Sequence, residues 1–289
     1  MSENRGKLFF KGFLIGATMS VPGASGGTMA MLLGVYEGML AALSGIFQDF
    51  RKNAVFLGLT AGGGIAGMLL AGGVVESFLF FWPFRAGYFF AGCIAGGIPF
   101  LIGSSLRRAG KRLLAPLLAL AAGAGLGMFL PLCPHLFRGE GALYLALAGL
   151  LLSVALVLPG ISASSFLYIL GLYEPLFAAI RGRNLAFLLP VGLGCLVGSY
   201  LSARLFTRAL ERHPAASHML IAGFLIASAA GSLPYGVSGG FTEGALAFGA
   251  GFLPLLALSG HTLIARRLSH AHLPHRPGRR RAGHRETAL

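Results

Sequence analysis

The sequence predicts an all-α integral membrane protein with two inverted-topology repeats, each a broken or re-entrant helical hairpin followed by three transmembrane helices. The composition, the long apolar segments and an internal repeat each support this fold class. The 289-residue chain is 55% hydrophobic and 11% charged, with a mean hydropathy of +0.77. Because soluble domains carry about 25% charged residues, this composition is too apolar to cover a surface in water.

Long apolar segments approach the ~20 residues that a membrane-spanning helix needs. They are residues 54–75, 86–106, 113–132, 185–206 and 244–264. The 45 glycines of the chain suit such helices, because small residues allow helices to approach closely in lipid, where no hydrophobic effect drives them together. The chain length therefore sets a number of spans rather than a number of globular domains.

Charge and cysteine content exclude several other classes. The formal net charge of +14 would point to nucleic acid in a soluble protein, but in a membrane protein Lys and Arg collect in cytoplasmic loops. We therefore expect no nucleic-acid partner. Cys93, Cys133 and Cys195 lack metal-ligand spacing, so the sequence predicts neither a metal site nor a disulfide framework, and it implies no cofactor.

An internal repeat is the most informative feature of the sequence. Residues 22–42 return as residues 159–179 at a constant offset of 137, and nine of the 21 positions are identical. The identities include a Pro-Gly-x-Ser turn and a Gly-x-Tyr-Glu segment, which a composition rich in Leu, Ala and Gly does not readily produce. The sequence therefore predicts two structurally equivalent halves.

Each half is predicted to contain one interrupted hairpin and three spans. The first membrane repeat covers 8–132, with its hairpin at 8–46 broken at 22–27, and the second covers 142–264, with its hairpin at 142–180 broken at 159–164. Residues 1–7 are predicted to form a cytoplasmic N-terminus and residues 265–289 a basic, disordered cytoplasmic tail.

The length of its arms predicts how the first hairpin enters the membrane. Its 14-residue first arm, residues 8–21, spans about 21 Å at 1.5 Å per residue. That length falls short of the ~30 Å hydrocarbon core. The first hairpin is therefore predicted to be re-entrant, whereas the second, with longer arms, is either re-entrant or fully spanning.

The distribution of basic residues predicts the orientation. If each hairpin returns to its own side, 19 of the 23 basic residues face the cytoplasm, as the positive-inside rule favours. Both termini are then cytoplasmic, with Arg181 and Arg183 as exceptions on the outer side. A hairpin and three spans cross an odd number of times, so the second half is inverted. Inverted repeats with broken helices near the midplane are the architecture of secondary transporters.

Two breaks at matched positions, Pro22-Gly23 and Pro159-Gly160, predict a ligand site. Each break exposes backbone groups that lipid cannot satisfy, and the following helix directs N–H groups and its positive dipole end at the break. This arrangement suits an anion, and a phosphate in particular. The predicted ligand-binding residues are Ser25, Gly26, Gly27, Thr28, Ser162, Ser164 and Ser165. The alternative is a plain kink, in which these hydroxyl groups bond to neighbouring carbonyls.

A Tyr-Glu pair follows each break, as Tyr36-Glu37 and Tyr173-Glu174. Carboxylates inside membrane segments are costly and usually functional, so Glu37 and Glu174 are candidate proton carriers if they are buried. If they lie at the membrane interface, Tyr36 and Tyr173 would act as aromatic anchors there. The sequence leaves both interpretations open.

The paired motifs resemble those of a known family. Pro-Gly-Ala-Ser-Gly-Gly-Thr-x-Ala…Leu-Gly-Val-Tyr-Glu at 22–37 and Pro-Gly-Ile-Ser…Leu-Gly-Leu-Tyr-Glu at 159–174 are similar to motifs of the polyprenyl-phosphate (undecaprenyl phosphate) transporters of the PopT type. The resemblance covers roughly residues 8–264. It implies a flippase that returns undecaprenyl phosphate, the lipid carrier of cell-wall synthesis, across the inner membrane. Ala163 stands where the family usually has Gly, which disfavours close backbone approach to a phosphate in the second hairpin.

Other functions and partners remain open from the sequence. A secondary carrier of a small soluble ion would use the same architecture, and only the resemblance favours a lipid. Ser259-Gly260-His261 resembles part of a lipid-phosphate phosphatase signature, but the remainder is missing, so we do not expect an enzyme. By position, Arg85 and Arg204 are candidates for pairing with a head group. Anionic lipids at the basic tail and a second copy of the chain are the other expected partners.

Overall fold

The described part of the chain is mainly helical. The computed structural model describes residues 4–19, 25–133, 139 and 141–271, with their side chains except at 164, 165 and 258–271. These residues form thirteen α-helices and one 3₁₀ helix, and they contain no strand. The predicted all-α fold is confirmed. Pro22, Gly23, the side chains of Ser164, Ser165 and Ser259-Gly260-His261, and residues 1–3 and 272–289 of the predicted termini lie outside the described residues.

Seven helices belong to the first predicted half and six to the second. The first seven are α1 (Arg5–Thr18), α2 (Gly26–Leu32), α3 (Tyr36–Ser44), α4 (Phe50–Phe81), α5 (Pro83–Ala95), α6 (Ile98–Ala109) and α7 (Leu114–Phe129), followed by the 3₁₀ turn Leu130–Leu132. The other six are α8 (Gly141–Val157), α9 (Ala163–Ile169), α10 (Tyr173–Arg181), α11 (Leu185–Arg212), α12 (Pro214–Gly231) and α13 (Phe241–Ala271). α13 extends past residue 265, the predicted start of the disordered tail, because Ala, Arg and Leu favour a helix there.

The bounds of the short hairpin helices repeat at the same offset as the sequence motifs. α9 and α10 begin and end 137 residues after α2 and α3, the offset at which the motifs recur. The outgoing arm of each hairpin is therefore two short helices rather than one continuous helix. In the first half, the axes of α2 and α3 differ by 116°.

Matched glycines explain this bend. Gly34 and Gly171 adopt φ values of 71° and 65°, in the left-handed region that glycine enters without steric cost and that commonly ends helices. The next residue then closes the turn: the Val35 N–H donates to the Ala30 carbonyl at 2.9 Å, and the Leu172 N–H donates to the Leu167 carbonyl at 2.8 Å. The sequence repeat thus encodes the same local structure twice.

Several helices of the described chain are long and apolar enough to cross a membrane. Five segments meet this criterion, namely Phe50–Phe81, Pro83–Ala109, Leu114–Leu132, Leu185–Arg212 and Pro214–Gly231, and the bent pair α2–α3 makes a sixth if it is one span. Gly141–Val157 and Phe241–Ala257 are shorter apolar helices. The protein is therefore a multi-pass membrane protein, and the opposite orientation of its halves remains a prediction.

Close helix contacts at glycine join α1 to α4 and α8 to α11. A Cβ atom at Gly16 of α1 would collide with the backbone of Gly64, and one at Gly194 of α11 would collide with the backbone of Ala146. These two helix pairs occupy equivalent places in the two halves. Such backbone-to-backbone packing requires a residue without a side chain.

Two other helix pairs connect one half to the other. A Cβ atom at Gly92 of α5 would collide with the backbone of Phe248 in α13, and one at Gly123 of α7 would collide with the backbone of Leu220 in α12. In each of these two pairs, one helix comes from the first half and the other from the second. The two halves therefore pack directly against each other through these helices.

Candidate ligand site between the hairpin tips

The first tip, residues 25–28, forms the start of α2. Ser25 is the N-cap residue, with extended backbone dihedrals, and its Oγ accepts a hydrogen bond from the Thr28 backbone N–H at 3.2 Å. Serine is favoured here because it satisfies one of the N–H groups that a helix start leaves unpaired. Ser25 and Thr28 are only 6% and 1% exposed, so both predicted phosphate ligands lie inside the protein.

The second tip, residues 158–163, contacts the first directly. The Gly160 backbone N–H donates to Thr28 Oγ1 at 3.0 Å and to Ser25 Oγ at 3.3 Å, and the two hydroxyl oxygens lie 3.2 Å apart. Gly27 approaches so closely that a Cβ atom there would lie 3.2 Å from Pro159 Cα. The first-tip hydroxyl groups therefore join the two halves, and they do more than repair a kink in their own hairpin.

The backbone of Gly160 makes this contact geometrically feasible. Its φ of 87° lies in the left-handed region, and a Cβ atom there would lie 2.7 Å from the carbonyl carbon of Phe224 and 2.9 Å from the nitrogen of Leu225 in α12. Glycine is thus required by both conformation and space. The Pro159-Gly160 break holds its N–H against the first tip.

Ser162 caps the second tip differently from Ser25. It is the N-cap of α9, but its side chain accepts no capping hydrogen bond. Ser162 is half-buried and Ala163 follows it as the first residue of α9. The two tips therefore share a fold but differ in how their serines are used.

A cavity of about 620 Å³ lies between the tips. It is lined by Ser25, Gly26 and Gly27 of the first tip and Ser162 of the second, and the rest of its wall is mainly apolar side chains of α1, α3, α4 and α8. Two of these, Ile65 and Leu69 of α4, are 62% and 76% exposed on the outer face of the helix. The cavity thus runs from the two tips to the lipid-facing surface of α4.

Tyr36 and Tyr173, which are equivalent in sequence, lie in different surroundings. Tyr36 lines the cavity, is 4% exposed, and its hydroxyl group has no hydrogen-bond partner among the described residues. Tyr173 instead stacks on Tyr168, with ring centroids 4.2 Å apart and planes 11° apart. Only the first tyrosine therefore belongs to the space between the tips.

Glu37 and Glu174 are both exposed, in the first turns of α3 and α10. A carboxylate in the first turn is favoured by the positive end of the helix dipole. Neither residue lines the cavity between the tips. Both interpretations of the two carboxylates, as proton carriers or as residues at the membrane interface, remain predictions.

Arg85 and Arg204 lie away from the tips. The Arg85 side chain pairs with Glu243 at the start of α13, and Arg204 Nη1 donates to the Tyr200 hydroxyl at 3.0 Å. The described residues that line the cavity include no lysine or arginine. A phosphate there would be held by N–H and hydroxyl donors rather than by an ion pair.

Three polar residues near the site were not anticipated from the sequence. Thr60 of α4 and Ser199 of α11 line the cavity, although the Thr60 hydroxyl already donates to the Phe56 and Leu57 carbonyls at 3.0 Å. His218 of α12 borders a smaller cavity of about 60 Å³ together with Glu37. In the sequence, each of the three is a polar residue in an otherwise apolar span, and this is the signal that could have identified it.

The described residues offer no metal centre. Within them, no group of three or more His, Cys, Asp or Glu side chains is placed to hold a metal ion. The three cysteines are free. The chemistry of this site is therefore that of hydroxyl groups, backbone N–H groups and an apolar wall.

Two broken hairpins that meet beside a largely apolar cavity, within a multi-pass helical protein, define a membrane transporter in architecture. The chain belongs to the family described as undecaprenyl phosphate translocase-like, whose model matches residues 15–243. The resemblance seen in the paired motifs is thereby confirmed.

Curated relatives agree with this family. The chain is 26% identical over 242 residues to a polyprenyl-phosphate transporter of Vibrio cholerae serotype O1, covering 78% of this chain and 75% of the relative. It is 32% identical over 238 residues to a polyprenyl-phosphate transporter of Staphylococcus aureus, covering 75% of this chain and 82% of the relative. No solved structure matches. These names are those of transporters and not of enzymes, so the chain is a transporter rather than a phosphatase.

Proposed function

We propose that this protein is a flippase that moves undecaprenyl phosphate, or a related polyprenyl phosphate, across the bacterial inner membrane for reuse in cell-wall synthesis. Its relatives in Vibrio cholerae and Staphylococcus aureus are named polyprenyl-phosphate transporters. The observation that carries the proposal is the cavity between the tips, which is lined by polar groups of both hairpins and by a mainly apolar wall that includes exposed residues of α4. A polyprenyl phosphate has the same division into a polar head and an apolar chain.

The apolar wall favours a lipid over a small soluble ion. A soluble ion loses its hydration in such a cavity, and burying a charge without full compensation is costly. A prenyl chain has no hydration to lose. The exposed side chains of Ile65 and Leu69 at the edge of the cavity give it a surface as apolar as the lipid from which it comes. In this proposal the chain stays along α4 while the head group enters between the tips.

The head group is proposed to bind at Ser25, Gly26, Gly27 and Ser162. In the present conformation, Ser25 Oγ and Thr28 Oγ1 accept hydrogen bonds from Gly160. A phosphate oxygen that takes the place of this contact would gain the hydroxyl donors and release the second tip. Binding and separation of the tips would then be one event, which is a requirement for passing a ligand from one side to the other.

The absence of Lys and Arg from the described cavity wall favours a head group with reduced charge. The second ionisation of a phosphate monoester has a pKa near 6. Near neutral pH, protonating the head group to the monoanion therefore costs little free energy. We propose that the head group crosses as the monoanion, with Glu37 or Glu174 as the groups that exchange the proton. Unchanged pH dependence of transport in the Glu37→Gln/Glu174→Gln double variant would contradict the role of the two carboxylates.

Binding of undecaprenyl phosphate to the purified protein, measured by native mass spectrometry, tests the proposal. Undecaprenol serves as the phosphate-free control, and Ser25→Ala/Thr28→Ala and Ser162→Ala are the tip variants. Ser105→Ala is the matched control, since Ser105 is fully buried and its hydroxyl group donates to the Leu101 carbonyl of its own helix. Preferential binding of the phosphate that is weakened in the tip variants alone is expected. Equal binding of phosphate and alcohol by every variant would favour a small-ion carrier instead.

A further inference from the structure

The Tyr36 hydroxyl group needs a partner that the described chain does not supply. The residue is 4% exposed and its hydroxyl oxygen has no hydrogen-bond partner among the described residues. Native proteins rarely bury a polar group in this way, because the group loses its hydrogen bonds to water without replacement. A bound molecule that accepts or donates a hydrogen bond would remove this cost.

The position of Tyr36 indicates the chemistry of that molecule. Tyr36 lies between two cavities, since it lines the one that also contains Ser25 and Ser162 and borders the smaller one with Glu37 and His218. Its ring packs in an apolar cluster with Leu40, Val157 and Ala203. A phenolic O–H is a good donor to a phosphoryl oxygen, which is among the strongest acceptors because it is charged.

The equivalent tyrosine of the second half is not available in the same way. Tyr173 stacks on Tyr168, and the first half has Met31 at the position that corresponds to Tyr168. Tyr173 borders a surface cavity with Glu174 and Arg181 rather than the cavity between the tips. The repeat has therefore kept the residue type at both positions but not its surroundings.

We propose that the Tyr36 hydroxyl donates a hydrogen bond to a phosphoryl oxygen of the ligand between the tips, and that Tyr36 alone of the repeated pair determines selection of a phosphate over the corresponding alcohol. This inference rests on the proposed function, since it names a further residue of the same site. The phosphoryl group belongs either to the lipid head group or to free phosphate.

Two matched variants test the assignment, since Tyr36→Phe and Tyr173→Phe each remove one hydroxyl group and keep the ring. Each is titrated with undecaprenyl phosphate, undecaprenol and inorganic phosphate and followed by native mass spectrometry. Tyr36→Phe is expected to weaken binding of undecaprenyl phosphate roughly 10- to 100-fold, as loss of a hydrogen bond to a charged group does, and to leave undecaprenol binding unchanged. Tyr173→Phe is expected to bind like the wild type.

Thermal unfolding without lipid separates ligand binding from a structural role. Tyr36→Phe removes an unpaired buried hydroxyl group, so the lipid-free variant is expected to be at least as stable as the wild type. A less stable variant would show that the hydroxyl group is satisfied within the protein, and would overturn the proposal.

The remaining outcomes are equally decisive. Wild-type affinity in Tyr36→Phe, or equal weakening in both variants, would overturn the proposal while leaving the proposed function intact. Equal binding of undecaprenol and undecaprenyl phosphate by the wild type would contradict the proposed function itself. Binding of inorganic phosphate alone, lost in Tyr36→Phe, would support the role of Tyr36 and exclude the lipid as the source of the phosphoryl group.

Discussion

Thr28 shows how much of the contact between the halves depends on one side chain. Its Oγ1 accepts the Gly160 N–H at 3.0 Å in a buried position. The sequence predicts that a helix follows the break and that Ser25 and Thr28 contribute hydroxyl groups there, because the residue types around a helix start are local information. It does not predict the Gly160 contact, because that partner is 132 residues away in the chain and is set by how the two halves pack.

Replacement of Thr28 by Val removes this acceptor and keeps the shape of the side chain. The Gly160 N–H would lose its shorter hydrogen bond in a buried place, so Thr28→Val is expected to destabilise the protein by about 1–3 kcal/mol. Thermal unfolding in detergent measures the effect. Thr207→Val is the matched control, since the Thr207 hydroxyl is buried without a partner among the described residues, and it is expected to be neutral or stabilising. Equal losses in both variants would contradict the assigned contact.

At the scale of helices, the pattern of the sequence predicts where the helices lie along the chain better than it predicts where they bend. The spans at 54–75, 86–106, 113–132 and 185–206 lie within described helices that are long enough to cross a membrane, because hydropathy is set by composition alone. The bend between α2 and α3 was not predicted. Gly34 and Gly171 are visible in the sequence as repeated glycines, but in a chain with 45 glycines the few that adopt a left-handed backbone are not distinguishable from those that pack.

Neighbouring glycines of α11 give a sharp test of the helix packing. A Cβ atom at Gly194 would collide with the backbone of Ala146 in α8, whereas one at Gly192 would have no atom within 4 Å. Gly194→Ala is therefore expected to destabilise the protein by roughly 1–3 kcal/mol through overpacking. Gly192→Ala is expected to be neutral or stabilising by up to ~1 kcal/mol, because alanine favours a helix. Similar thermal unfolding temperatures for the two variants would show that α8 and α11 do not pack as described.

For the whole molecule, the inverted orientation of the halves is the prediction on which the proposed passage of a ligand between the two sides of the membrane depends. The repeated bounds of α2–α3 and α9–α10 agree with two equivalent halves. The basic residues supply the prediction, through the positive-inside rule. The proposed preference for a polyprenyl phosphate rests on different evidence, namely the family and the shape of the cavity.

Cysteine labelling measures this orientation directly. In a protein whose native Cys93, Cys133 and Cys195 are replaced by serine, a single cysteine at Gly182→Cys is expected to react with a membrane-impermeant maleimide in intact spheroplasts. One at Lys111→Cys is expected to react only after permeabilisation. Labelling of Lys111→Cys in intact spheroplasts would mean that each hairpin counts as a single span, and would exclude the inverted arrangement.

Transport by the purified protein in proteoliposomes tests the central claim most directly. Undecaprenyl phosphate is incorporated in both leaflets, and a soluble phosphatase added outside removes phosphate only from lipid that reaches the outer leaflet. Vesicles with the wild-type protein are expected to lose nearly all lipid phosphate, whereas protein-free vesicles and those with Ser25→Ala/Thr28→Ala are expected to retain the inner-leaflet share. Retention of that share by wild-type vesicles would contradict the proposal that this protein is a polyprenyl-phosphate flippase.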